Sequence, residues 1–91
     1  MAYKIEMAKP VQKQLDAIKK SNAPAYKKAV LLMAELTEHP RTGTGQVEEL
    51  KGNLSGYWSR RINKQYRLVY RIFDDRVVVE IVSFDSHYGQ K

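Results

Sequence analysis

The stretch "YRLVYRIF", Tyr66 to Phe73, constrains this chain more than any other. At the two-residue period of a strand, Tyr66, Leu68, Tyr70 and Ile72 share one face, and Arg67, Val69, Arg71 and Phe73 share the other. Just before it, "YWSRRIN" sets Trp58 and Ile62 against Tyr57, Ser59 and Arg61, with "KQ" as a tight connection. Just after it, "DD" makes a turn and "RVVVEIVSF" a further strand. Such strands joined by short polar breaks form an antiparallel meander, whose apolar face must be covered.

The first half supplies the cover. "AYKIEMA" alternates like a strand, with Tyr3, Ile5 and Met7 on one side. Pro10 suits the first turn of a helix. Val11, Leu15 and Ile18 then follow at i, i+4 and i+7, predicting a helix that ends near Lys20. "SNAP" interrupts it, and Pro24 opens a second helix whose stripe is Tyr26, Ala29, Leu32, Met33 and Leu36. That helix extends to Glu38, and Pro40 stops it. "RTGTGQ" is a loop, after which three or four strands follow. The expected fold is α+β: two N-terminal helices packed on one face of a twisted antiparallel sheet. The 91 residues suit one domain, 1–91, with a modest core. Cysteine is absent, which removes disulfides and suits a reducing cytoplasm. No apolar run approaches the roughly 20 residues that span a bilayer, and the first residues do not read as a signal peptide. A soluble, cytoplasmic protein that makes no membrane contact is expected.

The formal charge is +6. From Gly52 to Phe73 the chain carries five basic residues and no acidic one. Lysines such as Lys13, Lys19, Lys20, Lys27 and Lys28 are read as solubilising helix residues. Arg61, Arg67 and Arg71 instead share the uncovered face of the sheet. Such a face suits a polyanion, either nucleic acid or an acidic protein. Of two histidines, His39 reads as a capping cation at a helix end, and His87 lies past the last strand in "SHYGQK". One such histidine without cysteine argues against a zinc site. RNA cleavage needs a base for the 2′-OH, an acid for the leaving 5′-oxygen and a cation for the phosphorane-like charge. "VEELK" offers a carboxylate, His87 an imidazole and Arg67 a guanidinium, with no metal or other cofactor required.

The stretch "LKGNLSGYWSRRINKQYRLVY", with a later "HY", resembles the YoeB/Txe toxins of the RelE superfamily. These are the toxin halves of type II toxin–antitoxin modules. The resemblance covers about 40 residues, and the helical half agrees in length and pattern. It implies a metal-independent endoribonuclease that enters the ribosomal A site and cuts mRNA through 2′-OH attack, leaving a cyclic phosphate. By position, the base falls on Glu48, the phosphate-stabilising arginine on Arg67 and the acid on His87. Lys51, Arg61 and Tyr88 fall on substrate-binding positions. The implied partners are a cognate antitoxin of YefM, Axe or Phd type, the ribosome with its mRNA and, since relatives can dimerise, a second copy. Gln65 stands where well-known relatives carry an acidic residue. The segment from "DD" to "HY" is about two residues longer here, and Gly89, Gln90 and Lys91 follow "HY".

Two other readings compete. A ParE-like toxin shares this fold but acts on DNA gyrase and lacks the Glu/Arg/His set; "SGYWSRRI" and "HY" argue against it. A non-catalytic RNA-binding module would bind with strong salt dependence and leave message intact. Within "QVEELK", extended backbone sends Glu48 and Glu49 to opposite faces and would pair Glu49 with Lys51. A bulge or turn between Glu48 and Lys51, which Gly52 nearby favours, would reconcile the two.

Overall fold

A computed structural model describes residues 2–85. The chain runs β1 (Lys4–Met7), α1 (Lys9–Ser21), α2 (Ala23–Leu36), β2 (Glu48–Glu49), a 3-10 turn (Gly52–Leu54), β3 (Tyr57–Arg61), β4 (Tyr66–Phe73) and β5 (Val78–Asp85). The five strands form one sheet in the order β1-β5-β4-β3-β2.

Both helices form where apolar spacing and caps agree. Val11, Leu15 and Ile18 are the buried residues of α1. A single residue, Asn22, joins the two helices. Its N–H donates to Ile18 O at 2.7 Å, closing α1. Its side-chain oxygen accepts from the Ala25 amide at 3.2 Å, opening α2. A capping side chain of this kind contributes about 1 kcal/mol. The buried stripe of α2 is Ala25, Ala29, Leu32 and Leu36. Tyr26 and Met33 pack at its margin. The helix stops at Leu36, two residues before the expected Glu38. Thr37 Oγ1 turns back to Ala34 O at 2.7 Å, and Pro40 disfavours helical backbone at His39. His39 is exposed, and its main chain closes the turn, its N–H donating to Glu35 O at 2.8 Å. The expected side-chain cap is therefore a main-chain one.

The helices cover the face bearing Leu68, Tyr70, Val79, Ile81 and Phe84, with Trp58, Tyr66 and Ile72 at the edges. β2, β3, β4 and β5 pair antiparallel. β1 departs from the expected pattern: it runs parallel to β5, with Ile5 opposite Val79. Two helices separate β1 from the meander, so the chain returns to the sheet without a hairpin. β3 ends at Arg61, and Ile62–Gln65 form a turn held by Asn63 Oδ1, which accepts from Gln65 N and Tyr66 N at 2.8 Å each. β5 starts at Val78 and not at Arg76, because the turn takes in Asp74 to Val77, with Val77 at φ +54°. Asp74 anchors that turn, accepting from Tyr3 Oη at 2.7 Å and from Arg41 Nη2 at 2.6 Å.

The loop from Thr37 to Val47 is held from inside the protein. Arg60, on the covered face of β3, has 0% exposure. Its Nε donates to Tyr70 Oη at 3.2 Å, its Nη2 to His39 O at 2.5 Å and Thr42 O at 2.7 Å. Its Nη1 donates to the Glu35 carboxylate and to Thr44 O at 3.4 Å. Gly43 and Gly45 let the loop lie this close. A Cβ on Gly43, at φ +122°, would clash with the Glu35 carboxylate. One on Gly45, at φ +89°, would press on Arg61 O, Arg60 Cβ and Leu32 Cδ2 at 3.2–3.3 Å.

Candidate active site

The sheet face turned away from the helices gathers its chemistry where β2, β3 and β4 lie side by side. Glu48 pairs with Ser59, and Glu49 with Trp58. Paired residues share a face, so Glu48 joins Ser59 and Arg61 on the open side, and Glu49 joins Trp58 on the helix side. Arg61 pairs directly with Arg67. Like charges directly opposed are unfavourable, and a bound polyanion would offset that cost. Arg67 Nη1 donates to Ser59 Oγ at 2.8 Å and stands 4.0 Å from Glu48 Oε1. Ser59 is buried, so this bond aims the guanidinium. The Glu48 and Arg67 side chains are 62% and 31% exposed. An ion pair so open to water is worth about 0.2–1 kcal/mol, so little free energy holds the two side chains together.

The structure redistributes the other expected residues. Arg61 lies beside Arg67, with no side-chain partner among the described residues. Lys51 is exposed at the start of the 3-10 turn, and no bond among the described residues ties it to Glu48 or Arg67. The turn begins at Gly52, past Lys51, and not between Glu48 and Lys51 as the reconciling bulge required; Leu50 N still donates to Tyr57 O at 2.8 Å. Arg71 shares the open face but is engaged there. Its Nη2 and Nε donate to Glu80 Oε1 at 2.6 and 3.1 Å, and its guanidinium lies 5.3 Å from the Tyr57 ring and 5.1 Å from the Phe73 ring. The concentrated positive charge thus narrows to Arg61 and Arg67. His87 and Tyr88 lie outside the described residues.

Two residues of the site escaped the sequence reading. Ser59 was legible as a residue of the open face, yet nothing local shows that Arg67 bonds to it from the neighbouring strand. Glu80 lies beyond the acid-free window and meets Arg71 only through the β4–β5 register, Arg71 opposite Glu80. Among the described residues, no three His, Asp or Glu side chains converge to hold a metal ion. No described helix is long and apolar enough to cross a membrane.

Two helices on one face of a mixed five-stranded sheet place the chain in the fold class of the small YoeB-like toxins. The family model for the YoeB-like toxin of bacterial type II toxin–antitoxin systems matches residues 11–88. The chain belongs to that family. It is 46% identical over 68 residues to Toxin YoeB of Streptomyces coelicolor, covering 75% of this chain and 79% of that protein. The YoeB dimer of Staphylococcus aureus superposes with TM-score 0.81 at 30% identity, over 97% of this chain and 100% of that one. The heterotetrameric YoeB–YefM toxin–antitoxin complex of the same organism superposes with TM-score 0.79 at 30% identity, with the same coverage.

Proposed function

We propose that this toxin is a ribosome-dependent endoribonuclease that cleaves mRNA in the A site by general acid–base catalysis. The observation that carries the reading is the Glu48–Arg67 pair, 4.0 Å apart on the face away from the helices, with Arg67 held by Ser59. Glu48 takes the proton of the ribose 2′-OH, and the 2′-oxygen attacks the adjacent phosphorus. Arg67 donates to the phosphoryl oxygens as charge grows on them, an interaction that strengthens toward the transition state. The P–O5′ bond breaks, and His87 supplies the proton to the leaving 5′-oxygen. The products are a 2′,3′-cyclic phosphate and a free 5′-hydroxyl. Arg61 and Lys51 hold flanking phosphates, and Tyr88 contacts the substrate beside His87.

The same face suits the acidic segment of a YefM-like antitoxin, which would neutralise Arg61 and Arg67 and cover Glu48. The YoeB–YefM complex and the YoeB dimer of Staphylococcus aureus support an antitoxin partner and a homodimer for this chain too. Primer extension on programmed ribosomes tests the activity. New 5′ ends at the A-site codon are expected with the toxin and absent once antitoxin is added. Intact message despite ribosome binding would leave a non-catalytic RNA-binding protein, and blocked replication with intact translation a gyrase poison.

A further inference from the structure

β2 is two residues long and lies at the edge of the sheet. Its attachment consists of Glu48 opposite Ser59, Glu49 opposite Trp58, and the bond from Leu50 N to Tyr57 O. So short a strand does not specify its own register, and a one-residue slip would carry Glu48 to the other face. Something before it must hold it. That segment, from Thr37 to Val47, has no helix or strand of its own.

The Arg60 guanidinium supplies the hold. It reaches the carbonyls of His39, Thr42 and Thr44 directly. Through Tyr70 it reaches a fourth, because Tyr70 Oη donates to Pro40 O at 2.8 Å. Glu35 completes the clamp from α2, pairing with Arg60 and accepting from the Thr44 amide at 2.8 Å. One residue on, Gly45 O accepts from Arg61 N at 2.6 Å, fastening the loop to β3 three residues before Glu48. β3 therefore does two jobs by alternation: Ser59 and Arg61 face the open side, and Arg60 between them clamps the loop below.

We infer that Arg60 is a positioning residue, which sets the register of β2 and so places the Glu48 carboxylate beside Arg67. The inference rests on the reading of Glu48 as the base. A buried guanidinium persists only when its N–H groups are met, and its planar fork serves several carbonyls at once. A lysine ammonium keeps the charge but not the fork.

The test uses the full chain with Arg60→Lys and, from the loop side, Gly43→Ala. Amide hydrogen exchange is read at Leu50 and Arg61 and across β4 and β5. Exchange at Leu50 and Arg61 should rise about tenfold or more while β4 and β5 stay protected. Single-turnover cleavage on saturating ribosomes should fall about 10- to 100-fold, as expected when a catalytic group is misplaced, with half-saturation changed less than about threefold. In a Glu48→Gln background, Arg60→Lys should add no further loss. Unchanged exchange at Leu50, a fully additive loss in that background, or loss of protection throughout β4 and β5 in both variants would overturn the inference. If Glu48→Gln alone keeps full cleavage, the base assignment fails instead, and the exchange at Leu50 still reports whether Arg60 sets β2.

Discussion

Glu48 and Glu49 are chemically identical neighbours with opposite surroundings. Glu48 faces Arg67 across Ser59, and Glu49 shares a face with Trp58. Glu48→Gln keeps the shape and removes the carboxylate proposed as the base, so single-turnover cleavage on programmed ribosomes should drop about 10²- to 10⁴-fold. Glu49→Gln should stay close to wild type, and the reverse pattern would move the base to Glu49. Arg67→Lys should restore only part of the activity that Arg67→Ala loses, because an ammonium cannot bond Ser59 and two phosphoryl oxygens in one plane. Full activity in the lysine variant would instead indicate a diffuse electrostatic role. His87→Ala should cut cleavage by about 10²- to 10⁴-fold while leaving ribosome and antitoxin binding in place. Unchanged cleavage there would remove His87 from the mechanism.

At the scale of elements, the loop between α2 and β2 meets two carboxyls that folding holds low, Glu35 and Asp74. The Thr44 amide, helped by the Thr44 hydroxyl and Arg60, holds the Glu35 carboxyl below its usual range, against the opposing effect of burial. At the opposite end of the loop, Arg41 and then Tyr3 do the same for Asp74. A carboxyl lowered in the folded state stabilises fully above its unfolded pKa, and that stability is lost as pH falls through the folded value. The urea midpoint should therefore fall on acidification through the carboxylate range. In Glu35→Gln it should start lower at neutral pH and fall less steeply. Equal slopes in the two proteins would place the acid sensitivity elsewhere.

For the whole molecule the decisive quantity is where the +6 charge stands, not its size. Arg61 and Arg67 lie side by side on the open face, whereas Arg71 is bonded to Glu80. Ribosome binding should weaken with salt, and Arg61→Gln should lower the log–log slope by about 0.7–0.9, the release of one phosphate's counterion. Arg71→Gln should leave the slope nearly unchanged. A fluorescence titration across several salt concentrations separates the two, and equal slope changes would show that Arg71 also meets the RNA.

Much of this was present in the sequence because it depends on period alone. Val11, Leu15 and Ile18 lie at helix spacing, and Leu68 and Tyr70 alternate with Arg67 and Arg71, so each segment declares its type and its buried face without reference to the rest. Asn22 and Pro40 mark helix boundaries by local backbone chemistry. What the sequence withheld are relations between residues far apart in the chain. The parallel pairing of β1 with β5, the bond from Arg71 to Glu80 and which of Glu48 and Glu49 lies on the face of Arg67 follow from register, which arises only when strands meet. Arg60 shows the difference most clearly. In sequence it is one of two adjacent arginines on a basic strand, alternating with Arg61. Only the folded chain brings Glu35, Tyr70 and three loop carbonyls around it, and only that company makes a buried charge tolerable.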